Sequence, residues 1–134
     1  MINRILLSTL FFVAFNLIFF STKAQVTNIM YRIAKIKVDA NQLENYKSAL
    51  KEQMNTAIKL EPGVLSYTAV ADKKDSTLIT ILEIYANFEA YQSHITTAHF
   101  KKYKEAVKDM VLSLELIDTE LVAKAKKTTI EMAE

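Results

Sequence analysis

The sequence predicts one α+β domain in which an antiparallel sheet carries helices on one face. Three observations support this. Ile29 to Val38 alternates with period two, with Ala34, Ile36 and Val38 on one side and Ile33, Lys35 and Lys37 on the other. Leu43, Tyr46, Ala49, Leu50, Met54, Ala57 and Ile58 then recur at helical spacing, as an amphipathic helix of about five turns requires. Two further β-rich runs, Val64–Ala71 and Thr77–Tyr85, flank the polar loop Asp72-Lys73-Lys74-Asp75 and read as a hairpin.

The remaining signals place the element ends. Asp39 with Gln42 three residues later resembles a capping box before the long helix. Glu61-Pro62-Gly63 ends that helix, because Pro62 cannot continue its ladder and Gly63 can supply a positive φ for the turn. In the third strand Leu78, Thr80, Leu82 and Ile84 face one way, and Ile79, Ile81, Glu83 and Tyr85 the other. Asn87 is placed to cap a short helix from Phe88 to about His94, and Thr96 or Thr97 to cap another through Phe100, Tyr103, Val107 and Met110. Leu112–Ile117 alternates as a fourth strand that could continue to Val122, and residues 124–134 form a polar tail. The order β-α-β-β-α-β is the ferredoxin-like arrangement. It leaves one apolar sheet face without helices, either the Ile79/Ile81/Tyr85 row or its opposite. Two such faces packed together would make a dimeric α/β barrel, with Ile81 and Leu116 expected at the interface.

Residues 1–24 stand apart from this domain, which is assigned to 25–123. Arg4 precedes an apolar run from Ile5 to Phe20, and Thr22-Lys23-Ala24 places small residues where a signal peptidase cuts, before Gln25. Export to the periplasm or beyond follows, and contact with a membrane is expected only through this segment. The alternative is an uncleaved anchor, against which the run falls short of the roughly 18 apolar residues a spanning helix needs.

Charge and composition remove several functions. The 134 residues contain 17 Lys+Arg and 15 Asp+Glu, but Arg4 and Lys23 belong to the leader, which leaves 15 of each. A domain of that balance has no basic footprint for nucleic acid. There is no cysteine, hence no disulfide, thiolate nucleophile or Cys-ligated metal. The single glycine, Gly63, rules out a dinucleotide fingerprint or a phosphate-cradling loop.

Chemistry-bearing residues concentrate between Leu78 and Phe100, where Glu83 interrupts an apolar strand and both histidines, His94 and His99, follow. The order Glu83-Ile84-Tyr85, His94, Thr97-Ala98-His99-Phe100, with Glu61-Pro62-Gly63 and Tyr67 upstream, resembles the antibiotic biosynthesis monooxygenase family over roughly Met30 to Val122. That resemblance implies a homodimeric barrel and, for several members, oxidation of a small phenol or quinol by O₂ with no metal, flavin or other cofactor. Other members process a sugar phosphate or open haem. The haem-opening members use a strand-one Asn and a Trp, whereas this chain has Lys35 near that position and no Trp.

The chemistry implied is deprotonation of a phenol in a dry pocket, which makes it electron-rich enough to reduce O₂. His94 titrates in the range a base needs, with Glu83 to orient it. His99, Tyr67, Tyr85 and Phe100 are expected to hold the substrate. Each has a structural alternative: His94 as a helix-end cap, Glu83 as an ion-pair partner of Lys35 or Arg32, the tyrosines as core. His94 and His99 are five apart and do not share a helix face, so no metal site is expected. A ligand-binding barrel without catalysis and an isomerase of a small carbonyl compound are the competing functions. Native protein is expected to begin at Gln25. N-terminal sequencing checks this, and recovery of intact Met1 from a membrane fraction would establish the anchor instead.

Overall fold

The structure, a computed structural model, describes residues 28–127. The leader 1–24 with its cleavage site, and the end of the polar tail, lie outside them. Strand β1 (Met30–Val38) leads through a 3₁₀ turn (Ala40–Gln42) into helix α1 (Leu43–Leu60). The hairpin β2 (Val64–Ala71) and β3 (Leu78–Tyr85) follows, then α2 (Phe88–His94), α3 (Ala98–Val107) and β4 (Val111–Thr119). The four strands form one antiparallel sheet in the order β2-β3-β1-β4. This is the expected ferredoxin-like α+β arrangement, with its second helix divided in two.

Local chemistry explains that division. Asn87 caps α2 by accepting from Ala90 N. Thr97 takes an extended conformation, donates its hydroxyl to His94 O at 2.8 Å and accepts from Phe100 N, so one residue closes α2 and opens α3. Asp39 caps only the 3₁₀ turn, through Asn41 N, and Gln42 bonds Asn45 rather than reaching back. The expected reciprocal box is therefore absent. Strand β4 ends at Thr119, short of the expected Val122, where the last side chain bonds Tyr31 O and the pairing with β1 stops.

The helices cover one face of the sheet. Helix α1 buries Tyr46 and Leu50 against Ala34, Ile36 and Val38 of β1 and Ile79 and Ile81 of β3, and Ala57 against Val64 and Tyr85. Each fully buried aliphatic side chain contributes about 1.5–3 kcal/mol. Ile81 is 4% exposed in this core. It is therefore not available to an interface, contrary to the expectation. The face without helices is the opposite one, where Leu82, Ile33 and Ile117 lie side by side in register.

Gly63 has a different task from the one its turn suggested. No glycine or other residue among those described has a positive φ. A Cβ on Gly63 would lie 2.5 Å from Ala90 Cβ, so the missing side chain is what lets α2 approach the start of β2. Gly63→Ala is expected to cost about 1–3 kcal/mol by overpacking. In urea titrations, Ala90→Gly should recover part of that loss when combined with it. Strictly additive losses would show that the close approach carries no strain.

Candidate functional site

The strand register lays three rows of side chains across the helix-bearing face. The first is Tyr67, Glu83, Arg32 and Asp118, one from each strand; the next two are Ala69-Ile81-Ala34-Leu116 and Ala71-Ile79-Ile36-Leu114. The sheet under the helices thus passes from polar to apolar in one step. A cavity of about 110 Å³ lies above it. That is somewhat less than the roughly 150 Å³ that holds a benzene ring in a well-studied engineered case. Leu114 and Leu116 line the cavity yet are 43% and 51% exposed, so it opens along β4.

Five side chains from four elements form a continuous hydrogen-bonded chain at its polar end. His94, 1% exposed, places Nδ1 at 2.8 Å from Glu61 Oε1 and Nε2 at 2.8 Å from the Tyr67 hydroxyl. The Tyr67 and Tyr85 hydroxyls are 2.7 Å apart, and Tyr85 donates to Glu83 Oε2 at 2.9 Å. The fold sets each position. Glu61 is the residue that ends α1, His94 the last of α2, and Tyr67, Glu83 and Tyr85 point from adjacent strands to the helix side. Among the described residues the second oxygen of Glu83 has no hydrogen-bond partner, and Glu83 lines the cavity.

Burial tunes these groups in opposite senses. It pushes Glu83 above the ordinary carboxylate value of 4.5, a rise that the Tyr85 bond and the nearby Arg32 charge only partly offset. Burial lowers His94 below 6.5 against the pull of Glu61. It also drives Tyr67 and Tyr85 far above the usual phenol value, so both hydroxyls keep their protons.

Other groups frame this chain. His99 Nε2 lies 3.0 Å from the same Glu61 oxygen but out of line for a hydrogen bond, while its Nδ1 meets Gln53 Oε1 at 3.0 Å. The Gln53 amide nitrogen is buried without a partner. Phe100 packs edge-on against His94 with ring centres 4.7 Å apart. Arg32 bonds Asp118 through two nitrogens and lies 4.0 Å over the Tyr91 ring. Tyr103 donates to Tyr46 across the cavity roof at 3.0 Å.

The structure brings Glu83, Tyr85, Tyr67, His94 and Phe100 together on one cavity, and sets His99 just behind, against Glu61 and Gln53. It does not bring Glu83 to His94. Glu61 holds the imidazole instead, and Glu83 reaches it only through two tyrosines. Nor does Glu83 pair with Lys35, which sits on the opposite sheet face, and Arg32 spends its hydrogen bonds on Asp118. Sequence reasoning missed Glu61, Arg32, Gln53, Tyr91 and the Tyr46–Tyr103 pair as site residues. The cross-strand register of Arg32 with Glu83 was the one signal that could have pointed to Arg32. Among the described residues no group of three or more His, Cys, Asp or Glu is arranged to hold a metal ion. Nor is any helix long and apolar enough to cross a membrane.

Comparison with known proteins agrees with this arrangement. The sequence model of the family described as antibiotic biosynthesis monooxygenase matches residues 29–106. A crystal structure from Bacteroides thetaiotaomicron, named as a candidate antibiotic biosynthesis monooxygenase, is 49% identical, covers 76% of this chain and 97% of its own, and superposes with a TM-score of 0.72. A candidate monooxygenase from Lactobacillus acidophilus is 31% identical over 67% of this chain and 43% of its own, with a TM-score of 0.66. A Nitrosomonas europaea protein at 20% identity, covering 70% of this chain and 90% of its own with a TM-score of 0.66, shares the fold. No curated relative matches the chain. By profile, identity and fold, the chain belongs to the antibiotic biosynthesis monooxygenase family.

Proposed function

We propose that this protein is an exported monooxygenase that oxidises a small phenol or quinol with O₂ and needs no metal or flavin. One observation carries the reading: a half-buried carboxylate, Glu83, has one oxygen without a hydrogen-bond partner on a mainly apolar cavity and the other backed by a tyrosine–histidine–glutamate chain. Both nitrogens of His94 are occupied, so Glu83 meets the substrate hydroxyl and His94 acts behind it. The base expected at His94 thus moves to Glu83, with Glu61 in the orienting role.

The reaction balances without an external reductant. Glu83 takes the phenolic proton, and the phenolate passes one electron to O₂. The resulting radical pair joins at an unsubstituted ring carbon, and loss of water leaves the quinone. Phenol and O₂ thus give quinone and water. The apolar rows exclude water from the charged intermediate, and the Arg32–Asp118 pair beside Glu83 supplies fixed polarity.

Assembly as a homodimer is part of this proposal. The helix-free face carries Leu82, 38% exposed, beside Ile33 and Ile117, and a second copy would cover it. Light scattering of residues 25–134 at micromolar concentration is expected to give twice the chain mass. A monomer mass rejects the barrel.

Oxygen uptake with a panel of hydroquinones, after metals and flavin are stripped, tests the reaction. Tight binding without uptake would mark a ligand-binding barrel, and proton exchange without uptake an isomerase. On the substrate so found, Glu83→Gln is expected to lower kcat by roughly 10²–10⁴-fold while binding persists. Because the Glu83–His94 chain can take the phenolic proton only when its two ends are not both protonated, kcat/KM should rise with pH as the first of those two protons leaves. A flat profile with full activity in Glu83→Gln would remove Glu83 from the chemistry.

A further inference from the structure

The chain from Glu61 to Glu83 has four contacts of 2.7–2.9 Å, each of which needs one proton between its heavy atoms. Two neutral tyrosines and one neutral imidazole bring only three, with both carboxylates ionised. The fourth must be an extra proton. Two arrangements that keep Glu61 ionised satisfy every contact. In one, His94 is an imidazolium that donates to Glu61 and Tyr67, Tyr67 donates to Tyr85, and Tyr85 to Glu83. In the other, Glu83 is protonated and donates to Tyr85, every hydroxyl turns over, and His94 accepts from Tyr67 while its Nδ1–H still donates to Glu61. The heavy atoms are the same in both.

We propose that Glu83, Tyr85, Tyr67 and His94 are a proton relay, holding one shared proton at rest and delivering a ligand's proton from Glu83 to His94 beside Glu61. It rests on the reading that a ligand hydroxyl meets the unpartnered oxygen of Glu83. The transfer starts from the arrangement with Glu83 protonated on Oε2. The ligand O–H bond breaks as a proton joins Glu83 Oε1. The Oε2 proton passes to Tyr85, that of Tyr85 to Tyr67, and that of Tyr67 to His94 Nε2. One O–H bond is lost at the ligand and one N–H bond is gained at His94. No electron moves in the relay. The ligand is left as an anion at the cavity, and the matching cation lies behind two tyrosines, against Glu61.

The surroundings suit a relay better than two independent groups. Burial raises Glu83 and lowers His94, which narrows the gap between the two ends, and it keeps both tyrosines protonated so that they pass protons without ionising. The charged and titratable groups that face the chain come from every packed element. Arg32 of β1 stands opposite Glu83 in register and is tied to Asp118 of β4. Tyr91 of α2 covers Arg32, and Tyr46 and Gln53 of α1 face it from above. From α3, Tyr103 and Lys104 line the cavity, and His99 is the second imidazole on Glu61.

Nuclear magnetic resonance of the folded protein, without substrate or oxygen, reads the relay directly. The ring nitrogens of His94 and the carboxyl carbon of Glu83 are followed through a pH titration in the wild type, Tyr67→Phe and Tyr85→Phe. A shared proton is expected to give both ends one common midpoint, each with partial amplitude. Either phenylalanine variant should split it into two midpoints about one pH unit or more apart. Glu83→Gln, which removes one of the two titrating ends, should leave His94 to titrate alone with full amplitude. Two separate midpoints in the wild type overturn the relay by themselves, even if neither variant folds. A common midpoint that survives in a folded variant overturns it as well. Because no turnover enters, absence of quinol oxidation would leave this result standing, and failure of the relay would leave the oxidation to be judged by oxygen uptake.

Discussion

A half-buried carboxylate 2.8 Å from a buried imidazole ties this domain together where its helices meet its sheet. Glu61 ends α1, His94 ends α2, and the imidazole continues to Tyr67 on β2. Polar groups in such a place are costly unless satisfied, and Glu61, His94 and Tyr67 each find a partner on another element. The approach of α2 depends on Gly63, and the end of α2 depends on Thr97. Position and ionisation in the site are therefore two results of one packing arrangement. Moving either helix end would alter both.

The fold was legible because its elements bury regular stripes. Alternation in β1 and β3 and the helical spacing of Tyr46, Leu50 and Ala57 are periodicities that burial imposes directly on sequence. The caps at Asn87 and at Thr96 or Thr97, of which the structure takes Thr97, and the stop at Pro62 were legible for the same local reason. Which sheet face the helices would take was not, since Ile79/Ile81 and Leu82/Ile84 are equally apolar. Only the connections of α1 and α3 decide it. Gly63 illustrates a related blindness: the residue that matters to it, Ala90, is 27 positions away, so a turn conformation was the available local explanation.

The site was half legible. Glu83 and His94 stand out because an acid in an apolar strand and a rare histidine are conspicuous by type. The link between them was hidden, because it runs through two tyrosines that resemble ordinary core residues and ends on an acid read as a helix stop. Glu61 and His94 are separated by 33 positions, and no spacing rule connects them. The Tyr67–Glu83–Arg32–Asp118 row likewise exists only once four strands are in register. Residue type announces chemical capacity, whereas partnership across a sheet waits for topology.

The pleat of the sheet also acts as a ruler. Side chains on one face recur every second residue, so successive rows lie about 7 Å apart along the strands. That is roughly the breadth of one aromatic ring. A molecule anchored by a hydroxyl at Glu83 would lay its ring over Ala34 and Ile81, and anything longer would run past Ile36 toward the gap beside Leu114 and Leu116. Selectivity is then uneven along the ligand's length. Beyond the first row the sheet floor is hydrocarbon and the roof carries the Tyr46–Tyr103 hydroxyl pair, while a tail extending outward along β4 would meet progressively less protein. Such a pocket would be strict about the head of its guest and tolerant of how far the guest extends.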